Sequence, residues 1–208
     1  MSITIVLIAV TCLISFLAFN DSNFKNKLIF SPYMYSKKNV WWLVLTHGFI
    51  HADYIHLFFN MYVLYAFGLN VEAFFGSMNQ IGSLYFVLLY LGGMVFATLP
   101  SIVKNRENPS YRSLGASGAV SAIVFAFIVL APTAGMGLIF LPGISIPAFI
   151  FGVLYLLAEN YMSKKGNTNI AHEAHIAGAI FGLIFLAFFD FEVYGNFLME
   201  ISSYLGLI

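Results

Sequence analysis

The chain has 208 residues, of which 61% are hydrophobic and 9% charged, with a formal net charge of zero. About a quarter of the residues of an ordinary soluble domain are charged, so a water-soluble globule is excluded, and the neutral balance gives no reason to expect nucleic acid or an acidic partner. The single Cys12 lies in an apolar run, which excludes an intrachain disulfide.

A membrane span needs about 20 predominantly apolar residues, with about 17 to 25 as the working range, and six stretches are expected to qualify. Ile3 to Phe19 is the first. No basic residue precedes it and no small-residue cleavage signature follows, so a retained span is expected rather than a signal peptide. Asn20 to Ile55 mixes Lys25, Lys27, Lys37 and Lys38 with Phe30, Tyr33, Tyr35, Trp41, Trp42 and Phe49. That mixture suits the headgroup level and predicts a loop lying partly in the interface. The second span is expected from near His56 to near Val71, and the third from about Gln80 to Leu99. After the polar connection Lys104 to Arg112, Leu114 to Ala131 makes the fourth, closed by Pro132. Thr133 to Ser145, with Gly135, Gly137, Pro142 and Gly143, is too interrupted for a helix and reads as an apolar linker. Ile146 to Met162 is the fifth span, Ser163 to Asn169 a short loop, and Ile170 to Phe189 the sixth. The tail after Asp190 is amphipathic and short. No tandem repeat is visible, so the expected organisation is one all-α bundle of six transmembrane helices over residues 1–190, with a tail over 191–208.

Polar groups inside spans are costly and usually face a cavity or a partner. His56 and Asn60 stand four apart in HLFFN and so share a helix face. Together they supply N–H donors of the kind that hold a developing oxyanion; the plainer reading of Asn60 is a bond to a neighbouring helix. Ser117 sits in GASG where a polar loop gives way to the fourth span. A serine in a span commonly bonds back to the carbonyl one turn earlier. Here Gly115 and Gly118 allow a tight turn and close approach, and the helix start offers free amides and the positive end of a dipole. Small residues recur at Gly118, Ala122 and Ala126, and again at Gly178 and Gly182 in a GxxxG spacing. Two such faces pack closely, which would bring His175, one turn before Gly178, to Ser117. Alone, His175 would read as an interfacial residue; beside a serine it is a candidate general base.

HGFIHADYIHLFFN at His47 to Asn60, then GASG, then AHIAGAIFG at Ala174 to Gly182 resembles the rhomboid family of intramembrane serine proteases. The match keeps its order over nearly the whole chain. The resemblance implies a six-helix core and a catalytic dyad without an acid, with Ser117 as nucleophile and His175 as base. It implies an oxyanion role for His56, Asn60 and the Ser117 amide, with the amide of Leu114 or Gly115 nearby. It further implies transmembrane protein substrates within the lipid bilayer and no cofactor. The chain departs from the family at Leu43, where an arginine often follows Trp42. Phe74 replaces an arginine often found two residues after the acidic position, here Glu72, and Ser121 replaces an aromatic that in some members packs on the catalytic histidine. These departures bear on the anchoring of the first loop and the orientation of His175 more than on the chemistry.

The chain holds five histidines. With only Glu72 and Glu173 plausibly near them they are too few for a clustered di-iron centre, and no metal is expected. His47 and His51 read as water-facing or structural, and Glu72 as a structural acceptor for helix-end amides or a neighbouring loop. All nine Lys and Arg residues fall in the first, third and fifth loops. The charge rule would place those loops in the cytoplasm; the resemblance implies the opposite, with the site opening to the non-cytoplasmic side of a cell membrane, and it is followed here. The function expected is endoproteolysis in or beside a membrane span. A catalytically silent binder of membrane helices and, less favoured, a small-solute transporter are the alternatives; the oligomeric state is not legible.

Overall fold

Helix α1 (Ile3–Asn20) opens the computed structural model, which describes residues 2–138, 141–165 and 171–208. The first amides of any helix lack intrahelical acceptors. Here Glu72, from a later helix, accepts from the amides of Ile3 (2.6 Å) and Thr4 (2.9 Å) and from the hydroxyls of Ser2 and Thr4. Glu72 is thus the structural acceptor its sequence setting predicts, and its charge faces the positive end of the α1 dipole.

The long first loop is built of short capped helices. Asp21 caps α2 (Ser22–Leu28); Ser31 caps α3 (Pro32–Lys38), whose first position is the proline. Helix α4 (Leu43–Thr46) runs into a 3-10 turn at His47–Phe49. Trp41 and Trp42 remain exposed, as an aromatic belt requires. Asp53 then caps α5 (Tyr54–Met78), followed by α6 (Gly82–Asn105), which carries Pro100 near its end.

Helix α7 (Ser117–Leu130) is the centre of the bundle, buried without a break from Gly118 to Ala126. It packs against α5, α6 and α9 (His172–Phe185). At 1.5 Å per residue its 14 residues span ~21 Å, short of the ~30 Å hydrocarbon thickness. Its N-terminus therefore ends inside the bundle. The crossing with α9 is set by glycine: a Cβ on Gly178 would strike the carbonyl oxygen of Gly118, and one on Gly182 that of Ala122.

Between α7 and α8 (Ala148–Lys165) the apolar linker folds as an antiparallel hairpin, β1 (Gly135–Leu138) with β2 (Leu141–Pro147). Ile146 and Pro147 pair with Met136 and Gly135, so the helix begins at Ala148, two residues later than the sequence pattern predicts. Beyond α9 a 3-10 turn at Leu186–Phe188 leads to α10 (Glu192–Tyr204), the amphipathic tail.

The chain is an integral membrane, multi-pass helical bundle carrying one small hairpin. Among the described residues three helices, α1, α5 and α6, are long and apolar enough to cross a bilayer, and α9 with α10 form a pair bent by 114°. Helices α1, α5, α6, α7, α8 and α9 stand at the six stretches where the sequence predicts spans, and α7 and α9, at 14 residues each, are shorter than a straight crossing needs.

Candidate active site

The segment leading into α7 is held from the first loop at successive backbone groups. Phe30 and Ser113 exchange both amide-to-carbonyl bonds at 3.0 Å. Gly115 N–H donates to the His47 carbonyl (2.9 Å), and Ala116 N–H donates to His51 Nε2 (3.3 Å). With Nε2 accepting, the proton of His51 sits on Nδ1 and is directed at Ser15 Oγ (2.9 Å), whose hydroxyl donates to the Phe49 carbonyl. His47 and His51 are both buried. Of the two settings the sequence allows them, the structural one is found. Burial lowers the His47 pKa to about 4 and, with the nearby His56, that of His51 to about 3, so both rings are neutral at physiological pH.

Gly115 has φ +112°, and a Cβ there would lie 2.7 Å from His56 Cε1. Only glycine meets both demands. The backbone then turns so that Ser117 is the first residue of α7, where the initial amides point outward unpaired by the helix. Because the Gly115 amide already serves His47, it is not free for an oxyanion, a correction to the role the family resemblance implies for it.

Ser117 Oγ lies 2.7 Å from His175 Nε2. The close crossing of α7 and α9 makes this possible, with Gly178 one turn beyond the histidine. On the other side of the ring, His175 Nδ1 is 3.0 Å from Glu159 Oε1, and His172 Nδ1 is 2.6 Å from Glu159 Oε2. Glu159 comes from α8 and is 6% exposed, His172 4%. An ionised carboxylate only accepts, so each Nδ1 is a donor and His175 Nε2 is left as acceptor toward the serine hydroxyl. The acid-free dyad of the family resemblance is thus corrected: serine, histidine and glutamate stand in line.

Asn60, on α5, donates one amide hydrogen to the His56 carbonyl one turn earlier (2.9 Å). Its second is available to the cavity of about 790 Å³ that Asn60, Ser117, Tyr155, Glu159 and His175 share. The cavity lies between α5 and α8 with α7 as its floor, and its remaining wall is mostly aromatic and aliphatic. His56 stands behind Gly115; its Nδ1 is 3.5 Å from the Ala52 amide, which leaves Nε2–H as the donor on the Gly115 side. Ser121, the departure from the family's aromatic, bonds Tyr155 of α8 (2.9 Å).

Sequence reasoning missed Glu159. A signal was present, since it is the one carboxylate within the fifth apolar stretch and an ionisable residue there marks a site by default. The two acids expected near the histidines lie elsewhere: Glu72 caps α1, and Glu173 pairs with Lys104.

A family model described as the Rhomboid domain matches residues 38–191. The chain is 32% identical to the RHOMBOID-like protein 12, mitochondrial, of Arabidopsis thaliana over 65% of its own length and 43% of that protein's. It is 31% identical to the Presenilin-associated rhomboid-like protein A, mitochondrial, of Danio rerio over 68% of its length and 36% of the relative's. With the Rhomboid protease GluP of Bacillus subtilis it shares 28% identity over 81% of its length and 30% of the relative's. The chain spans well under half the length of these curated relatives.

Proposed function

The chain belongs to the rhomboid family, and from that premise we propose that it is an intramembrane serine endopeptidase, cutting peptide bonds in or beside the spans of other membrane proteins. The observation that carries this reading is the alignment of Ser117 Oγ, the His175 ring and the Glu159 carboxylate at 2.7 and 3.0 Å. His175 takes the serine proton as Oγ attacks the carbonyl, and Glu159 holds the ring in the required tautomer and offsets the charge of the imidazolium. The oxyanion is met by the Ser117 amide, the second Asn60 amide hydrogen and His56. His175 then protonates the leaving amine and activates the water that releases the acyl group.

A substrate helix hides its peptide bonds, so it must unwind locally where protein or water can satisfy them. The cavity between α5 and α8 is where this reading admits it, laterally from the lipid. An opening toward the non-cytoplasmic face of a cell membrane belongs to the same proposal; proteolysis of the 104–112 loop in sealed vesicles of known orientation checks it.

The deciding experiment is cleavage of a transmembrane peptide by the purified protein. Ser117→Ala and His175→Ala are each expected to abolish cleavage while circular dichroism and melting in detergent stay native. Wild-type rates in either variant would end the reading. A silent binder of membrane helices is separated by a fluorophosphonate probe, which labels Ser117 in the wild type only if the hydroxyl is activated.

A further inference from the structure

We propose that Glu159, His172 and His175 form a site for a divalent transition-metal ion of the zinc class, and that an ion bound there takes the general base out of action. The inhibitory half rests on His175 being that base; the binding half does not. The carboxylate and the two imidazoles offer one ligand atom each, all within 4.8 Å of one another. Both Nδ1 atoms converge on opposite oxygens of one carboxylate. Orienting a catalytic ring needs one histidine per carboxylate. Here a second histidine, buried and on the same helix face, completes a two-histidine, one-carboxylate set.

Ligand chemistry selects the ion. Imidazole nitrogen with carboxylate oxygen suits zinc and its neighbours, whereas magnesium and calcium take oxygen ligands. Zinc bonds nitrogen at about 2.0–2.1 Å and carboxylate oxygen at about 2.0–2.2 Å. Ligand atoms of a tetrahedral zinc stand about 3.4 Å apart, so the nitrogen–oxygen pairs, now at 2.6 and 3.0 Å, would part by roughly 0.4–0.8 Å while ligand atoms now within 4.8 Å of one another draw to that spacing. Glu159 and His175 line the cavity, which gives the ion a way in and leaves a fourth position for water. Three protein ligands with one open position is a recurrent zinc geometry.

Binding has a definite effect on His175. Its Nδ1 lone pair goes to the metal, and the neutral ring keeps its one proton, which moves by exchange with water from Nδ1 to Nε2. Nε2 then donates toward Ser117 Oγ instead of accepting from it. The serine is left intact with no base.

The test uses the whole chain in detergent, stripped of metal by a chelator. Ser117→Ala is titrated with Zn²⁺ alone against a chromogenic zinc chelator, so that no proteolysis enters the measurement. One equivalent is expected to bind and to raise the melting midpoint. Glu159→Gln and His172→Gln, each added to Ser117→Ala, are expected to weaken binding at least about tenfold, a lower bound taken from losses of outer-shell partners at metal sites. Their metal-free melting curves confirm that they fold, and His172→Ala serves as a second variant if the glutamine fails. No bound zinc in Ser117→Ala, or binding unchanged in every folded ligand variant, overturns the site. In the wild type, Zn²⁺ is expected to suppress cleavage and a chelator to restore it, with Mg²⁺ inert. Zinc that binds without slowing a working protease overturns the inhibitory half. A metal-free wild type that cleaves nothing overturns the protease reading instead, and leaves the zinc titration to stand by itself.

Discussion

Glu159 decides which nitrogen of His175 carries the proton, and a glutamine there could equally well accept or donate. The ring would then be free to present Nε2–H to the serine. In a serine protease with the comparable aspartate-to-asparagine change, kcat falls about 10⁴-fold with the geometry kept. Glu159→Gln is accordingly expected to lower kcat by about 100-fold or more, with a much smaller change in KM, in steady-state cleavage of a transmembrane peptide. Unchanged kcat would reduce Glu159 to a tether between α8 and α9. His51 and His47 predict a different behaviour. Their folded pKa values, about 3 and about 4, lie below the ordinary 6.5, so between those values the unfolded chain binds more protons than the folded one. Stability is complete above about pH 6.5 and is lost progressively as pH falls toward 4 and 3. The melting midpoint in detergent should fall on acidification through this window, and His51→Gln should flatten that dependence while lowering the midpoint at pH 7.5. A wild-type midpoint that does not move between pH 7 and 4.5 would show that the two rings are not held neutral.

Helices α7 and α9 meet backbone to backbone, and that contact sets the distance between Ser117 and His175. Valine at Gly178 would drive a branched side chain into the Gly118 carbonyl. Overpacking costs about 1–3 kcal/mol, and a displacement near 1 Å costs on the order of 100-fold in rate. Gly178→Val should therefore lose activity and melt lower although it removes no catalytic group; normal cleavage with an unchanged midpoint would refute the crossing. This interface could be read from the GxxxG spacing and the small residues at Gly118 and Ala122, because close packing needs small side chains at fixed helical intervals. Ser117, His175 and Asn60 stood out for a related reason, as polar groups in apolar runs. Glu159 stood out equally, but no local spacing joins it to a histidine 13 residues away on another helix. The roles of His47 and His51 were out of reach because they act on the backbone at Gly115 and Ala116, more than 60 residues on, and a side-chain pattern does not record backbone bonds. The hairpin was hidden because a glycine- and proline-rich apolar linker reports only that it is not a helix.

Across the molecule, the walls of the cavity differ in how firmly they are held. Helix α7, its floor, is enclosed on nearly every side, whereas the described residues of α8 bury only Ala148, Gly152 and Glu159. If substrates enter between α5 and α8, the energy needed to expose a peptide bond falls mainly on the substrate helix. Gly and Pro weaken a helix by about 1 and about 3 kcal/mol relative to Ala, and each 1.4 kcal/mol is about tenfold in rate if unwinding limits it. A peptide with a Gly-Pro or Gly-Gly step near the cut is expected to be cleaved at least about fivefold faster than its all-leucine counterpart. Equal rates would mean that unwinding does not limit turnover.

The parts of the site are also ordered along the chain. Ser15 and His51, which set the turn at Ala116, precede the serine, and Glu159, His172 and His175 follow it by more than 40 residues. A chain still being synthesised, with its growing end short of residue 172, would contain Ser117 but neither histidine of α9. The fold thus imposes an order: under the proposed mechanism Ser117 gains its base only when α9 has been made and inserted beside α7.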